Sequence, residues 1–443
     1  MGPVQDPLQI RWLVDAGEPL SAQPVVVEAT AFCGTRTGDV KSIHVDTGAL
    51  GWTRRAQSSP VRTLHPLREG LLVAFGLPGR HSPPVRVPPR GLSMGLFYLG
   101  EGAPSLVRLS ADGQPEWVVD PSAPAYRVTA HGGVVLWDGA KGLVAYRLQD
   151  GREAWRKGAE AGHSAGAAEG VAVLLEAQDE AIVAKGARIG DGSVVWRLPP
   201  MRAPGPPDRT MCVSGAWFCH IGPRQRLWVV DVRSGSIRHS SEVPALARYF
   251  RADGKQVDGD CTIVAALSDA ILVRAWTRGQ RHRYWLLDLP SGEVRWSLRP
   301  RSVPGRPRAH DLSYMCVSDE RVYFRSNWYV PGERLVGVSL ASGKCVWSVP
   351  CGWYDEEGNL EQWVAEADEI GGIVYLLGGE GELGMVHATT GEWLRPLVAL
   401  PDPLGAAAAL PVKAGNLILV WDTEGHLAAF EPRRTAGDRN PGT

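Results

Sequence analysis

Several features are missing from this chain of 443 residues, and each absence removes a class of function. Charge of one sign is missing: 47 Lys and Arg against 48 Asp and Glu leave a net charge of −1. Bulk binding to nucleic acid or to an anionic membrane needs a basic surface, so neither partner is expected. Long apolar runs are missing, whereas a membrane-spanning helix needs roughly 20 apolar residues in a row. Cysteine spacing of the zinc or redox kind is missing as well. Cys33, Cys212, Cys219, Cys261, Cys316, Cys345 and Cys351 are odd in number and scattered, and read as core thiols of a reducing compartment. The opening stretch, Met1-Gly2-Pro3-Val4-Gln5-Asp6-Pro7, has no basic segment followed by an apolar one. No secretory signal is therefore expected, and the expected location is the cytoplasm. A nucleophile elbow, a P-loop, a dinucleotide fingerprint and an HExxH are all lacking. The Gly-Glu-Gly-Glu-Leu-Gly run at 379–384 has no helix after it and is a turn rather than a phosphate cradle. No catalytic residue is assigned.

What the chain has in quantity is glycine (52), proline (34) and tryptophan (17). The clearest stretch is Asp288-Leu289-Pro290-Ser291-Gly292-Glu293-Val294-Arg295-Trp296, which reads as strand, tight turn, strand. The same phrase recurs. Gly48 leads to Trp52, Gly113 to Trp117, Gly151 to Trp155, Gly192 to Trp196, Gly292 to Trp296 and Gly343 to Trp347, each at an offset of four. Two copies are degenerate: Gly235 has His239 at the tryptophan position, and Gly391 has Arg395 there with Trp393 two residues early. A supersecondary unit that recurs at such spacings means a repeat array or a propeller. Within a unit come a weak strand, an apolar run such as Gly70–Phe75, an alternating strand such as Leu143–Leu148, and the turn with its tryptophan strand. Four short strands separated by turns make one blade of a β-propeller. Glycine supplies the positive φ of the turn, and the neighbouring Asp, Ser or Thr bonds the local backbone. Each repeat tryptophan is expected to wedge between blades, its indole N–H reaching a carbonyl of the next unit.

An aspartate, a Thr-Gly or Ser-Gly turn and a following tryptophan resemble the quinoprotein-type, or PQQ-like, propeller repeat. The pattern is similar also to the propeller of the outer-membrane barrel-assembly lipoproteins, although no lipoprotein-type cysteine stands near the start. The resemblance covers nearly the whole chain. It implies an all-β, single closed propeller; for activity it implies little, since most such propellers hold no quinone. In the family's dehydrogenases the quinone sits by an adjacent cysteine pair, with calcium on carboxylate and amide ligands. This sequence has no adjacent cysteines, and asparagine stands only at 327, 359, 416 and 440. Neither PQQ nor calcium is carried over, and no metal is assigned. Nine units can be counted, ending near Trp52, Trp117, Trp155, Trp196, His239, Trp296, Trp347 and Arg395, with a composite of 405–430 and 8–14. In that composite the strand of Trp12 completes the last blade. Propellers usually have four to eight blades, so the expectation is eight to nine. The expected division is a lead at 1–7, the propeller at 8–430 and a disordered tail at 431–443.

Segments that follow a tryptophan strand join one blade to the next and gather at one mouth of the channel. Four are long: 198–210, 240–260, 297–312 and 348–362. Long connections without structure of their own are uncommon and often functional. They place Tyr249, Arg251, Arg306, Arg308, His310 and Asp311 near Trp353, Tyr354, Asp355 and Glu356, a mixed basic and acidic-aromatic set suited to carboxylates, phosphates or peptide backbone. The bland alternative is two solvated loops pairing with each other. His65, His131, His163, His220 and His310 are candidates for convergence on the axis, but none has metal-ligand spacing. The leading expectation is a non-catalytic cytoplasmic scaffold that binds a protein or peptide at this mouth. The alternatives are an enzyme or small-molecule receptor using the same loops, and a carbohydrate-binding propeller whose Trp328, Trp353, Trp363 and Tyr354 stack on sugars.

Overall fold

The computed structural model describes residues 8–76, 104–123, 125–139, 141–158, 163–178, 181–201, 210–222, 225–244, 246, 251–252, 255–256, 259–277, 282–289, 291–299, 312–326, 333–351, 353–354, 360–362 and 364–432. They form nine four-stranded antiparallel sheets, eight of them simple meanders. Blade 1 takes Leu20–Val27, Thr30–Thr35, Asp39–His44 and Leu50–Arg55. Blades 2 to 8 lie within 61–119, 125–157, 163–197, 211–242, 259–298, 312–350 and 364–398. Blade 9 joins Val412–Ala414, Leu417–Trp421 and His426–Pro432 to Leu8–Asp15 as its outer strand. Nine is thus the blade number, at the upper edge of the sequence expectation, and the composite blade is present. Its last strand runs to Pro432 opposite Leu8, two residues beyond the boundary read from sequence.

The core is not one mass but a ring. Nine apolar clusters occupy the nine seams between neighbouring blades, and the cluster of Trp12, Ala31, Ile43, Leu419 and Trp421 closes blade 9 onto blade 1. The reason lies in the strand pattern. Second strands such as Gly70–Phe75 and Leu417–Trp421 are buried throughout, because both faces of a blade meet a neighbour. No blade can bury its apolar surface alone, so stability comes from stacking.

The repeat tryptophans build these seams. Trp12, Trp52, Trp117, Trp155, Trp196, Trp296 and Trp347 each donate their indole N–H to a carbonyl of the next blade, at 2.6–3.0 Å. The acceptor lies in the turn before that blade's glycine. At Gly192, φ is +69° and an added Cβ would fall 2.8 Å from the Trp155 ring, so turn geometry and ring packing both demand glycine there. His239 performs the same packing under Gly292, with Nε2 bound to Ser241 instead of the next blade. Arg395 does not. Blade 9 is assembled from the two ends of the chain, so no turn joins its third and outer strands. The ring position has nothing to receive an indole, and the buried Arg395 guanidinium instead donates to the carbonyls of Leu383, Val398 and Ala399. Leu400, Leu404 and Leu410 from the connection between blades 8 and 9 are buried in the same seam.

A candidate functional site at the connection end

First strands of neighbouring blades lie against one another, which puts them at the axis. A meander places the connections between blades, and the links from second to third strand, at one end of every blade. Turns from first to second and from third to outer strand sit at the other. The turn end repeats closely. Gly151 N–H donates to Arg147 O at 2.9 Å, Gly235 to Asp231 at 2.8 Å and Gly292 to Asp288 at 2.9 Å.

The connection end is built differently. Among the described residues, buried Asp138, His220, Arg325, Glu333, Glu382 and Asp422 all stand there, at the close of a second strand, the start of a third, or the link between them. Side chains at this end fasten points where the chain enters the inner strands. Ser21 Oγ donates to Val61 O at 2.6 Å and Arg62 Nη1 to Ala125 O at 2.5 Å. The peptide groups at Ser164 are held from both sides: Asp138 Oδ2 accepts its N–H at 2.8 Å, and Arg127 Nη1 donates to its carbonyl at 3.0 Å. Tyr284 OH donates to Leu312 O at 2.8 Å, and Arg325 Nη1 to Val364 O. Burial lowers the pKa of Arg62 and Arg127, and Asp138 opposes the shift at Arg127.

Blade 7 carries the most deeply buried pair. Arg325 Nε lies 3.1 Å from Glu333 Oε1, with both side chains almost wholly shielded. Burial pushes the Glu333 carboxyl up to about 7, outweighing the neighbouring Arg325 charge. Cys351 donates its N–H to Glu333 O at 3.0 Å, and burial, with the Glu333 charge next, raises its thiol well above the ordinary value. This is an inert structural thiol, since nucleophilic cysteines need a stabilised thiolate.

Tyr249, Arg306, Arg308, His310, Asp311, Asp355 and Glu356 lie outside the described residues, as does the Pro- and Arg-rich 77–90 stretch. Arg251 stands in a two-stranded hairpin of Arg251–Ala252 with Lys255–Gln256. Trp353 and Tyr354 stand in another, paired with Leu360–Gln362. Two of the four long connections therefore carry a hairpin of their own, which the sequence reading took for loop. Among the described histidines, His131 ends its inner strand at the turn end, whereas His220 lies in a second strand near the connection end; His310 lies outside the described residues. None of the seven cysteines forms a disulfide, and Cys212 faces Cys219 across two strands inside blade 5. The sequence reading missed Trp276, whose ring is 41% exposed at the connection end of blade 6. Its signal was the alternation Leu272-Arg274-Trp276 along the strand.

Among the described residues one group has metal-ligand composition, Asp422, Glu424 and His426. Its geometry argues for structure. Asp422 Oδ1 accepts the N–H groups of Glu424, Gly425 and His426, while Oδ2 accepts Gly405 N–H and the His426 ring. Both oxygens are thereby spent on the link and on the connection from blade 8. The sequence holds no adjacent cysteine pair to flank a quinone.

The architecture defines the class: a closed nine-bladed propeller whose seams are tied by the quinoprotein-type tryptophan repeat. The model of the outer membrane protein assembly factor BamB family matches residues 79–257 and 188–436, and the chain belongs to that family. Similar solved structures include BamB from Moraxella catarrhalis, 12% identical over 96% of this chain and 99% of that one, with a TM-score of 0.47. Quinohemoprotein alcohol dehydrogenase ADHIIG from Pseudomonas putida HK5 is 14% identical over 99% of this chain and 78% of that one, at a TM-score of 0.50. At such identities the likeness concerns the fold alone. No curated protein matches the chain in sequence.

Proposed function

We propose that the protein is a non-catalytic interaction scaffold of the cytoplasm that holds a protein or peptide partner on the connection end of blades 5 to 8. One observation carries this reading: the long connections leave from an end braced by buried charge, and no acid, base and nucleophile converge among the described residues there. Bracing of that kind costs desolvation, which is offset where a rigid platform for variable segments is needed. Membership in a family described as an assembly factor supports a partner-binding role. Seven cysteines without a disulfide support a reducing compartment. The binding groups proposed are Tyr249, Arg251, Arg306, Arg308, His310, Asp311, Trp353, Tyr354, Asp355 and Glu356.

The test is affinity capture from native extract with wild-type protein, with Arg306→Glu/Arg308→Glu/Trp353→Ala, and with a turn-end control, Arg233→Glu/Lys344→Glu. A partner lost only by the first variant supports the proposal. A partner lost only by the control refutes it. No retained protein, together with a melting temperature raised by a small molecule, replaces it with a receptor or enzyme reading.

A further inference from the structure

We infer that Cys212 and Cys219 form a redox-active dithiol, which a peroxide closes to a disulfide across the first two strands of blade 5. The inference is independent of the scaffold reading, since it concerns the chain's own thiols.

Register supplies the pair. Met211–Ser214 runs antiparallel to Trp217–Ile221, and Cys212 stands directly opposite Cys219. Directly opposed residues of antiparallel strands have Cα atoms roughly 4.5–5.5 Å apart, inside the roughly 4.4–6.8 Å that a disulfide spans. Both side chains lie on one face of the sheet, buried in the seam with blade 6. The other strand cysteines have no thiol across the ladder: Cys33 faces Lys41, Cys261 faces Ala275, Cys316 faces Tyr323 and Cys345 faces Val338. Cys351 has Glu333 near it instead. Hydrogen bonding to Cys212, with burial next, raises the Cys219 thiol well above its ordinary value. Cys219 therefore holds its proton and points it at the Cys212 sulfur, which is the attacking atom.

The step is a two-electron oxidation. Cys212, as thiolate, attacks one oxygen of hydrogen peroxide. The O–O bond breaks, hydroxide leaves and takes a proton to become water, and Cys212 becomes a sulfenic acid. The Cys219 sulfur then displaces the sulfenic hydroxyl, and its proton completes a second water as the S–S bond forms. Two thiols are oxidised and one peroxide is reduced to two waters. Access comes from position: Cys212 is the second residue of its strand at the connection end, and strand ends open locally more readily than strand centres. The Cβ atoms of such a pair lie roughly 4.5–5.5 Å apart and must close to roughly 3.5–4.5 Å. The bond therefore strains the hairpin and is readily reduced. A disulfide of that kind suits a reducing compartment, where such bonds are transient and redox-sensing.

The experiment exposes the folded full-length chain to hydrogen peroxide, removes the excess with catalase, alkylates the remaining thiols in urea and maps the peptides by mass spectrometry. A Cys212–Cys219 cross-link should appear, two hydrogens lighter than the reduced pair, with Cys33, Cys261, Cys316, Cys345 and Cys351 recovered alkylated. Dithiothreitol should restore both thiols. Cys219→Ala should abolish the link and leave Cys212 as a sulfenic acid that dimedone traps, at least tenfold above wild type, whereas Cys33→Ala should leave the link unchanged. The map of the wild-type chain decides the matter even where a variant fails to fold. Recovery of both Cys212 and Cys219 as alkylated thiols overturns the inference. So does a link from either of them to Cys261, which is buried in the same seam.

Discussion

The two ends of each blade obey different rules. At the turn end one solution is repeated: a glycine at positive φ, a carbonyl aimed at an indole, and a short hairpin exposed to water. At the connection end each blade solves its own problem, with a serine in blade 1, an arginine in blade 2, an arginine–aspartate clamp in blade 3 and a buried ion pair in blade 7. Repetition marks where the ring needs the same seam each time. Its loss marks where the segments between the strands differ and where the chain has freedom to acquire a partner.

Tryptophans at the two ends sharpen this contrast most. Trp155→Ala should cost about 4 kcal/mol, because the ring is buried in the seam and bound to Ile189 O. Trp276→Ala should leave stability within about 0.5 kcal/mol; urea unfolding of both variants measures the difference. The two degenerate repeats come next. Arg395→Trp should destabilise by about 3 kcal/mol, since three carbonyls lose their donor and no turn glycine receives the ring. His239→Trp should be neutral or gain up to about 1 kcal/mol, because Gly292 is in place above it. If both behave alike, the account of the missing turn in blade 9 fails.

The pH dependence follows from Glu333. Its folded-state pKa is raised to about 7. The folded form therefore holds the proton more tightly than the unfolded chain, and stability from this group falls as pH rises from about 4.5 to 7. Wild-type stability should carry that slope, of order 3 kcal/mol in total, and Glu333→Gln should remove it; melting scans from acid to neutral pH check both. The smallest effect belongs to the turn end. Glu169 holds φ at +50° in a hairpin with Gly170, and Glu169→Gly should stabilise by about 0.5–1 kcal/mol by relieving that conformation, which urea unfolding resolves.

Much of the ring was legible in the sequence because its glycine and tryptophan lie four residues apart, inside one hairpin. The composite ninth blade was legible too, since Trp12 had no unit before it and 417–430 had no tryptophan strand after it. The reason for Arg395 was not. It depends on a turn missing from a neighbouring blade, which the order of strands reveals and the local sequence does not. The buried pair of Arg325 and Glu333 was hidden for a related cause. Both stand beside variable segments where charge reads as solvent-facing, and only the packing of blades 7 and 8 encloses them. Trp276 escaped because it lacks a glycine four residues before it, so it matched no repeat.

The central claim is that the connection end, and not the turn end, meets the partner. Hydrogen exchange of the protein alone and with its captured partner tests this over the whole ring in one measurement. The account predicts added protection within 240–260, 297–312 and 348–362 and at the strand ends that flank them, with none at the glycine turns near 48, 151, 192 and 343. Protection concentrated at those turns, with the connections unchanged, would contradict it.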